Sequence, residues 1–166
     1  MKKFIAALVC LFLAMACLPR TNAGAVPDNS AYAAILFHPD SETVLFEQNA
    51  DARCLIASTT KIMTALVVLE NCSLDEKVTV EPEHTLVEGS SMYLKPGEDY
   101  TVEDLLYGLM LASGNDAALA LACHAAGSVE GFARLMNQKA EELGLQNSSF
   151  ENPHGLDGEK HYSSAR

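Results

Sequence analysis

The chain has 166 residues, 49% of them hydrophobic and 20% charged, with only 10 Gly and 6 Pro. That is one domain's worth at ~150 residues per domain, and it excludes collagen-like and disordered classes. The formal charge is −11, and because Lys2, Lys3 and Arg20 lie among the first 25 residues, the remainder carries 8 cations against 22 anions, a surface that excludes nucleic acid as a partner and is repelled by anionic lipid headgroups.

Lys2 and Lys3 precede an apolar run over residues 4–18, and Ala23-Gly24-Ala25 supplies a small-x-small cleavage pattern. Residues 1–25 therefore read as a secretory signal peptide. The run is short of the ~20 apolar residues a membrane span needs, and no later segment approaches that length. Cys17 follows Ala14-Met15-Ala16, which lacks the large aliphatic residue that would mark it for lipidation. Without the leader, three cysteines remain (Cys54, Cys72, Cys123), so at least one thiol stays unpaired within a monomer and no disulfide framework is indicated.

Residues 32–38 (YAAILFH) form a continuous apolar run ended by Pro39-Asp40 and read as a buried strand. Residues 44–47 give a second strand, making a hairpin. Residues 58–70 are apolar on all sides after the first turn, which marks an interior helix. Residues 77–80 and 91–94 are strand-like, with turns at Glu88-Gly89 and Pro96-Gly97. Thr101-Val102-Glu103-Asp104 carries a capping signal for a helix reaching Ala112. Ser113-Gly114-Asn115 breaks it, residues 116–124 resume as helix, and residues 128–143 form an amphipathic helix stopped by Gly144. A hairpin followed by buried helices predicts an α+β, α/β sandwich-like domain with helices stacked on a sheet.

Ser58-Thr59-Thr60-Lys61 has the form S-x-x-K, which 12 serines and 7 lysines would give by chance about 0.5 times. In one reading Ser58 caps the helix and Lys61 reaches solvent along its stem. In the other, Lys61 is a cation in an apolar helix with no acid within four positions, so burial leaves it a neutral amine. The i, i+3 spacing then sets that amine beside the Ser58 hydroxyl, at a helix N-terminus whose N–H groups suit an oxyanion. Ser113-Gly114-Asn115 likewise reads either as helix stop and cap or as a hydroxyl that passes a proton and an amide that holds a carbonyl. His154, Asp157 and His161 are metal-type ligands, but no HExxH or CxxC accompanies them, and no metal or cofactor is expected. His38, His84 and His124 read as isolated, and there is no nucleotide-binding motif.

IASTTKIMTALVVLE, EGSSMYLKPGE, LLYGLMLASGNDAALALA and NPHGLDG, in this order, resemble the serine-type D-alanyl-D-alanine carboxypeptidases, the low-molecular-mass penicillin-binding proteins. The resemblance runs from about Ala31 to Arg166 and implies the penicilloyl-serine transferase fold. Carried over residue by residue, it makes Ser58 the acyl-forming nucleophile, Lys61 its general base, Ser113 a proton relay and Asn115 a substrate-binding amide. It implies peptidoglycan stem peptides ending in D-Ala-D-Ala as substrate, β-lactams as covalent inhibitors, and an exported, extracytoplasmic enzyme. A serine β-lactamase on the same scaffold and a non-catalytic wall-binding or β-lactam-sensing module are the alternatives. The family's third motif, Lys-Thr-Gly, is absent, and Lys95-Pro96-Gly97 lies in the wrong segment without the hydroxyl. Residues 26–166 are therefore expected to be the N-terminal part of a catalytic domain, with any membrane anchor lying outside them.

Overall fold

A computed structural model describes residues 29–166; the expected leader and Cys17 lie outside them. The chain divides into two units, residues 1–31 and 32–166, and the described elements of regular structure lie in the second. Strand β1 (Ala34–His38) pairs antiparallel with β2 (Thr43–Gln48), Leu36 facing Phe46 and, after an irregularity, Phe37 facing Val44. Between them Pro39–Ser41 form a 3-10 turn with the proline at its start, where a missing N–H costs nothing. The burial expected of this strand is contradicted: Leu36 is 55% and Phe37 48% exposed. An apolar run is buried only where a second layer covers it, and among the described residues this sheet has two strands, none of whose residues is fully buried.

Helix α1 (Thr60–Asn71) follows a 3-10 turn over Ala57–Thr59. It is interior along one stripe, not all round. Thr60, Lys61, Met63, Thr64, Val67 and Val68 are buried, whereas Ile62 and Leu69, seven residues apart on the other side, are more than half exposed. Strand β3 (Lys77–Thr79) pairs with β4 (Asp99–Thr101), so the strand expected over 91–94 is misplaced. In that stretch the N–H groups of Met92 and Leu94 donate to the carboxylate of Asp116 and not to a neighbouring strand.

Helix α2 (Val102–Leu111) starts as expected: Thr101 Oγ1 accepts from Asp104 N, and the Asp104 carboxylate accepts from Thr101 N, a reciprocal cap. Helices α3 (Asn115–Ala126) and α4 (Val129–Glu142) follow, the latter capped by Ser128 Oγ accepting from Gly131 N at 3.0 Å. Helices α1 and α3 each pack against the other three. Ala117, Ala118, Ala120 and Ala122 are fully buried in α3, and their small side chains let Val67, Val68, Leu105, Leu109, Phe132 and Met136 close around it. The content is α+β, with the helices packed chiefly on one another. No described helix is long and apolar enough to cross a membrane.

Exposed apolar side chains on paired strands invite association. The purified chain is expected to bind a fluorescent apolar dye and to elute above monomer size. Phe37→Ser with Val44→Ser, facing partners on one side of the hairpin, lowers both; unchanged dye binding and size would place the sticky surface elsewhere.

Candidate active site

Ser58 sits exposed in the 3-10 turn, and Lys61 lies one turn on, only 2% exposed. Lys61 Nζ is 3.3 Å from Ser58 Oγ, and it donates to Asn115 Oδ1 at 2.7 Å and to the His154 carbonyl at 2.8 Å. None of these partners is an acid. Burial pushes the Lys61 amine below its ordinary pKa, because desolvation penalises the ammonium and no anion repays it. The capping reading of Ser58 and the solvent-reaching reading of Lys61 are both set aside: Thr59 occupies the cap position of α1, no side chain caps it, and the amine points inward.

Asn115 is the first residue of α3, with Gly114 as its cap, so it does not itself cap the helix. Its Nδ2 donates to the Glu88 carbonyl and its backbone N to the Ser90 carbonyl, each at 2.7 Å. Gly89, between them, has φ +92°, and a Cβ there would stand 2.7 Å from Asn115 Nδ2, so only glycine lets this loop close on the amide. Ser113, half-buried in a left-handed conformation (φ 54°) between α2 and α3, is not among the groups bonded to Lys61. The structure thus brings Ser58, Lys61 and Asn115 into one hydrogen-bonded group and places Ser113 two residues from it.

Several supports have no motif to announce them. The Asp116 carboxylate, 2% exposed, accepts from Ser91 Oγ (2.6 Å), Leu94 N (3.0 Å), Met92 N (3.1 Å) and Ala117 N (2.9 Å). Burial alone would raise its pKa, but these four donors outweigh it and hold the carboxyl below 3.8. The loop after Phe150 is strapped to α1 by Thr64 Oγ1 donating to the Pro153 carbonyl (2.7 Å) and by His161 Nε2 to Thr60 Oγ1 (2.8 Å). Asn152 Oδ1 accepts from Gly155 N and its Nδ2 donates to the Leu156 carbonyl, which shapes the turn that presents the His154 carbonyl. Gly155 has φ +93°, and a Cβ there would fall 1.9 Å from the Ala57 carbonyl, in the left-handed turn (Ala57 φ 44°) that precedes Ser58.

The two histidines of this loop are held by hydrogen bonds, and Asp157 is exposed. His161 Nδ1 accepts from Glu151 N and His154 Nδ1 from Leu156 N. Burial lowers the His154 pKa to about 4, so its ring is neutral near pH 7. Cys54, Cys72 and Cys123 are all free thiols. His124, read as isolated, instead meets Glu76, its Nε2 2.8 Å from Glu76 Oε2.

Residues 20–166 match the model of the D-alanyl-D-alanine carboxypeptidase family, and the chain belongs to that family. It is 44% identical over 142 residues to the D-alanyl-D-alanine carboxypeptidase DacF of Bacillus subtilis, an alignment covering 82% of this chain and 36% of that protein. The crystal structure of the D-alanyl-D-alanine carboxypeptidase DacD from Francisella tularensis superposes with a TM-score of 0.82 at 34% identity, covering 92% of this chain and 38% of that one. A DD-transpeptidase of Streptomyces K15 superposes at 0.78 and 38% identity, covering 84% and 58%. The fold is that of the DD-peptidases and penicillin-binding proteins, as the resemblance implied, and the chain spans between about a third and three-fifths of the length of the curated relatives it matches.

Two outcomes follow from the supports. Gly155→Ala forces the Ala57 carbonyl away and strains the turn that carries Ser58, so it should lower the melting temperature and raise hydrogen exchange at the start of α1; wild-type values of both would mean the contact is not tight. Asp116 has a depressed folded pKa, so its stabilisation is complete above the ordinary 3.8 and is lost as pH falls through the lower folded value. Asp116→Asn should cost ~1–3 kcal/mol at neutral pH and flatten the acid limb of a urea-unfolding series. An unchanged acid limb would remove Asp116 from that account.

Proposed function

We propose that this sequence belongs to an exported serine DD-carboxypeptidase that removes the terminal D-Ala from peptidoglycan stem peptides through an acyl-enzyme on Ser58. The observation that carries this reading is the bonding of Lys61 Nζ. A neutral amine has two N–H groups and one lone pair. The Asn115 amide oxygen and the His154 carbonyl can only accept, so they use both N–H groups. The lone pair is left for the third neighbour, the Ser58 hydroxyl at 3.3 Å.

On this reading Ser58 Oγ attacks the carbonyl of the penultimate D-Ala as its proton passes to Lys61 Nζ. The tetrahedral intermediate collapses, breaking the C–N bond, and the departing D-Ala amine takes up the proton with Ser113 as relay. Water then cleaves the ester and regenerates the serine hydroxyl. The backbone N–H of Ser58, for which no acceptor is found among the described residues, is the oxyanion donor within this segment. Asn115 Nδ2 gives one hydrogen to Glu88 and keeps the other for a substrate carbonyl. β-Lactams acylate the same serine. Supporting the reading are the family match and relatives named as carboxypeptidases; the DD-transpeptidase among the structural neighbours marks an amine as the alternative acceptor of the acyl group. We also propose that residues 1–25 are a signal peptide and residues 26–166 the N-terminal part of the catalytic domain, in keeping with the 36% of DacF that the alignment covers.

In the protein that contains this sequence, Ser58→Ala should abolish labelling by a fluorescent penicillin and D-Ala release from a D-Ala-D-Ala peptide. Lys61→Ala should slow both by ~10²- to 10⁴-fold, and Lys61→Arg should not rescue, because guanidinium stays charged. Near-wild-type rates in Lys61→Ala would overturn the proposed base. Cys54 donates to the Ala52 carbonyl, away from Lys61, so Cys54→Ser should keep most activity; its loss in a folded variant would bring a thiol into the chemistry.

A further inference from the structure

The C-terminal end of α1, ~18 Å of helix away from Ser58, carries a second cluster of reactive side chains that the chemistry above does not use. Cys72 follows the last turn of α1, Glu76 lies just before β3, and His124 is in the last turn of α3. Their ligating atoms, one sulfur, one carboxylate oxygen and one ring nitrogen, all lie within 4.8 Å of one another. We propose that Cys72, Glu76 and His124 form a binding site for a thiophilic divalent cation, Zn²⁺ by its ligand preference, with water completing the coordination.

Three features of the cluster support this. First, it is held in place before any ion arrives. Cys72 N donates to the Val68 carbonyl, the Glu76 carbonyl accepts from Val102 N, and Glu76 Oε1 accepts from Ser73 N at 2.7 Å, which leaves Oε2 turned to His124. Second, the donor set discriminates. Zn²⁺ takes thiolate, imidazole and carboxylate at ~2.0–2.3 Å, so the edges of its tetrahedron are ~3.3–3.8 Å and modest side-chain rotations bring the three atoms onto it. Ca²⁺ and Mg²⁺ want all-oxygen shells and are disfavoured. Third, the position is open and negatively charged. The side chains of His124 and Glu76 are 24% and 43% exposed, and His124 also lines a cleft of about 300 Å³ with Glu81 and Glu83 on its walls, which concentrates cations there. Binding releases the thiol proton of Cys72 to solvent, and the hydrogen that His124 Nε2 gives to Glu76 Oε2 is displaced, the neutral ring keeping its one proton on Nδ1 while the Nε2 lone pair takes the ion. An ion there ties the end of α1 to the end of α3 and to the start of β3, clamping the two helices that carry Lys61 and Asn115.

The test uses tag-free protein. Zn²⁺ affinity is read by competition with a chromophoric chelator, and Co²⁺ serves as the optical probe. The expected result is one ion per chain, a near-ultraviolet thiolate-to-cobalt charge-transfer band, and a melting temperature that rises with free Zn²⁺. Cys72→Ser should abolish the band and weaken Zn²⁺ by more than the ~10- to 100-fold that losing a ligand's hydrogen-bond partner costs. His124→Gln should weaken it comparably and carries the same test should Cys72→Ser fail to fold. Cys54→Ser and Cys123→Ser should leave the band and the stoichiometry unchanged. Absence of one-to-one binding, or a charge-transfer band that survives Cys72→Ser, would overturn the proposal.

Discussion

Lys61 is a basic side chain buried without an acid. A cation in that position costs several kcal/mol of lost hydration, and only neutral acceptors stand against it. Burial lowers its pKa, and its neighbours are an amide oxygen, a backbone carbonyl and the Ser58 hydroxyl, an arrangement that recruits distant parts of the chain. Asn115 must be delivered by the start of α3, the His154 carbonyl by the loop after Phe150, and Ser58 by the turn before α1. Each is itself held: Asn115 by the carbonyls of Glu88 and Ser90, and the His154 loop by Thr64, Asn152 and the close seating of Gly155 on Ala57.

The same constraint explains where the polar side chains of the interior lie. Thr60, Lys61 and Thr64 occupy the buried stripe of α1 alongside Met63, Val67 and Val68, and every one of them is bonded to a loop or to α3. No buried side-chain nitrogen or oxygen among the described residues lacks a hydrogen-bond partner, as a low-dielectric interior demands. Asp116 extends the principle to the other side of Asn115. Three of its four donors, from Ser91, Met92 and Leu94, fold residues 91–94 over the start of α3, so the loop that grips the Asn115 amide is anchored one residue further along the same helix.

Features set by near neighbours were legible in the sequence. The Ser58–Lys61 spacing, the Thr101/Asp104 cap and the stop at Gly144 are all written within four residues, and the structure reproduces them. Features set by distance were not. Lys61 and Asn115 are 54 residues apart, and the His154 contribution is a backbone carbonyl, which any residue type would supply. Residues 91–94 read as strand-like, yet the N–H groups of Met92 and Leu94 serve a carboxylate 24 and 22 positions on. Burial failed for a related reason: Leu36, Phe37 and Ile62 are apolar by composition, but cover depends on which layers lie beside them. Asp116 and His124 looked like ordinary helix residues because their partners lie in other elements. The family resemblance identified Ser58, Lys61, Ser113 and Asn115 together, where spacing alone left each with a structural alternative.

The protonation state of Lys61 is the most direct test, because the proposed acylation needs a neutral amine. It can be read from the side-chain carbon and Nζ resonances of selectively labelled lysine, followed across pH in the ligand-free protein and assigned with Lys61→Arg. The account predicts one lysine that titrates well below the 10.5 of an ordinary ammonium and perturbs the Asn115 amide as it does so. A Lys61 resonance that titrates with the exposed lysines would contradict it, since a full ammonium has no lone pair for the Ser58 proton.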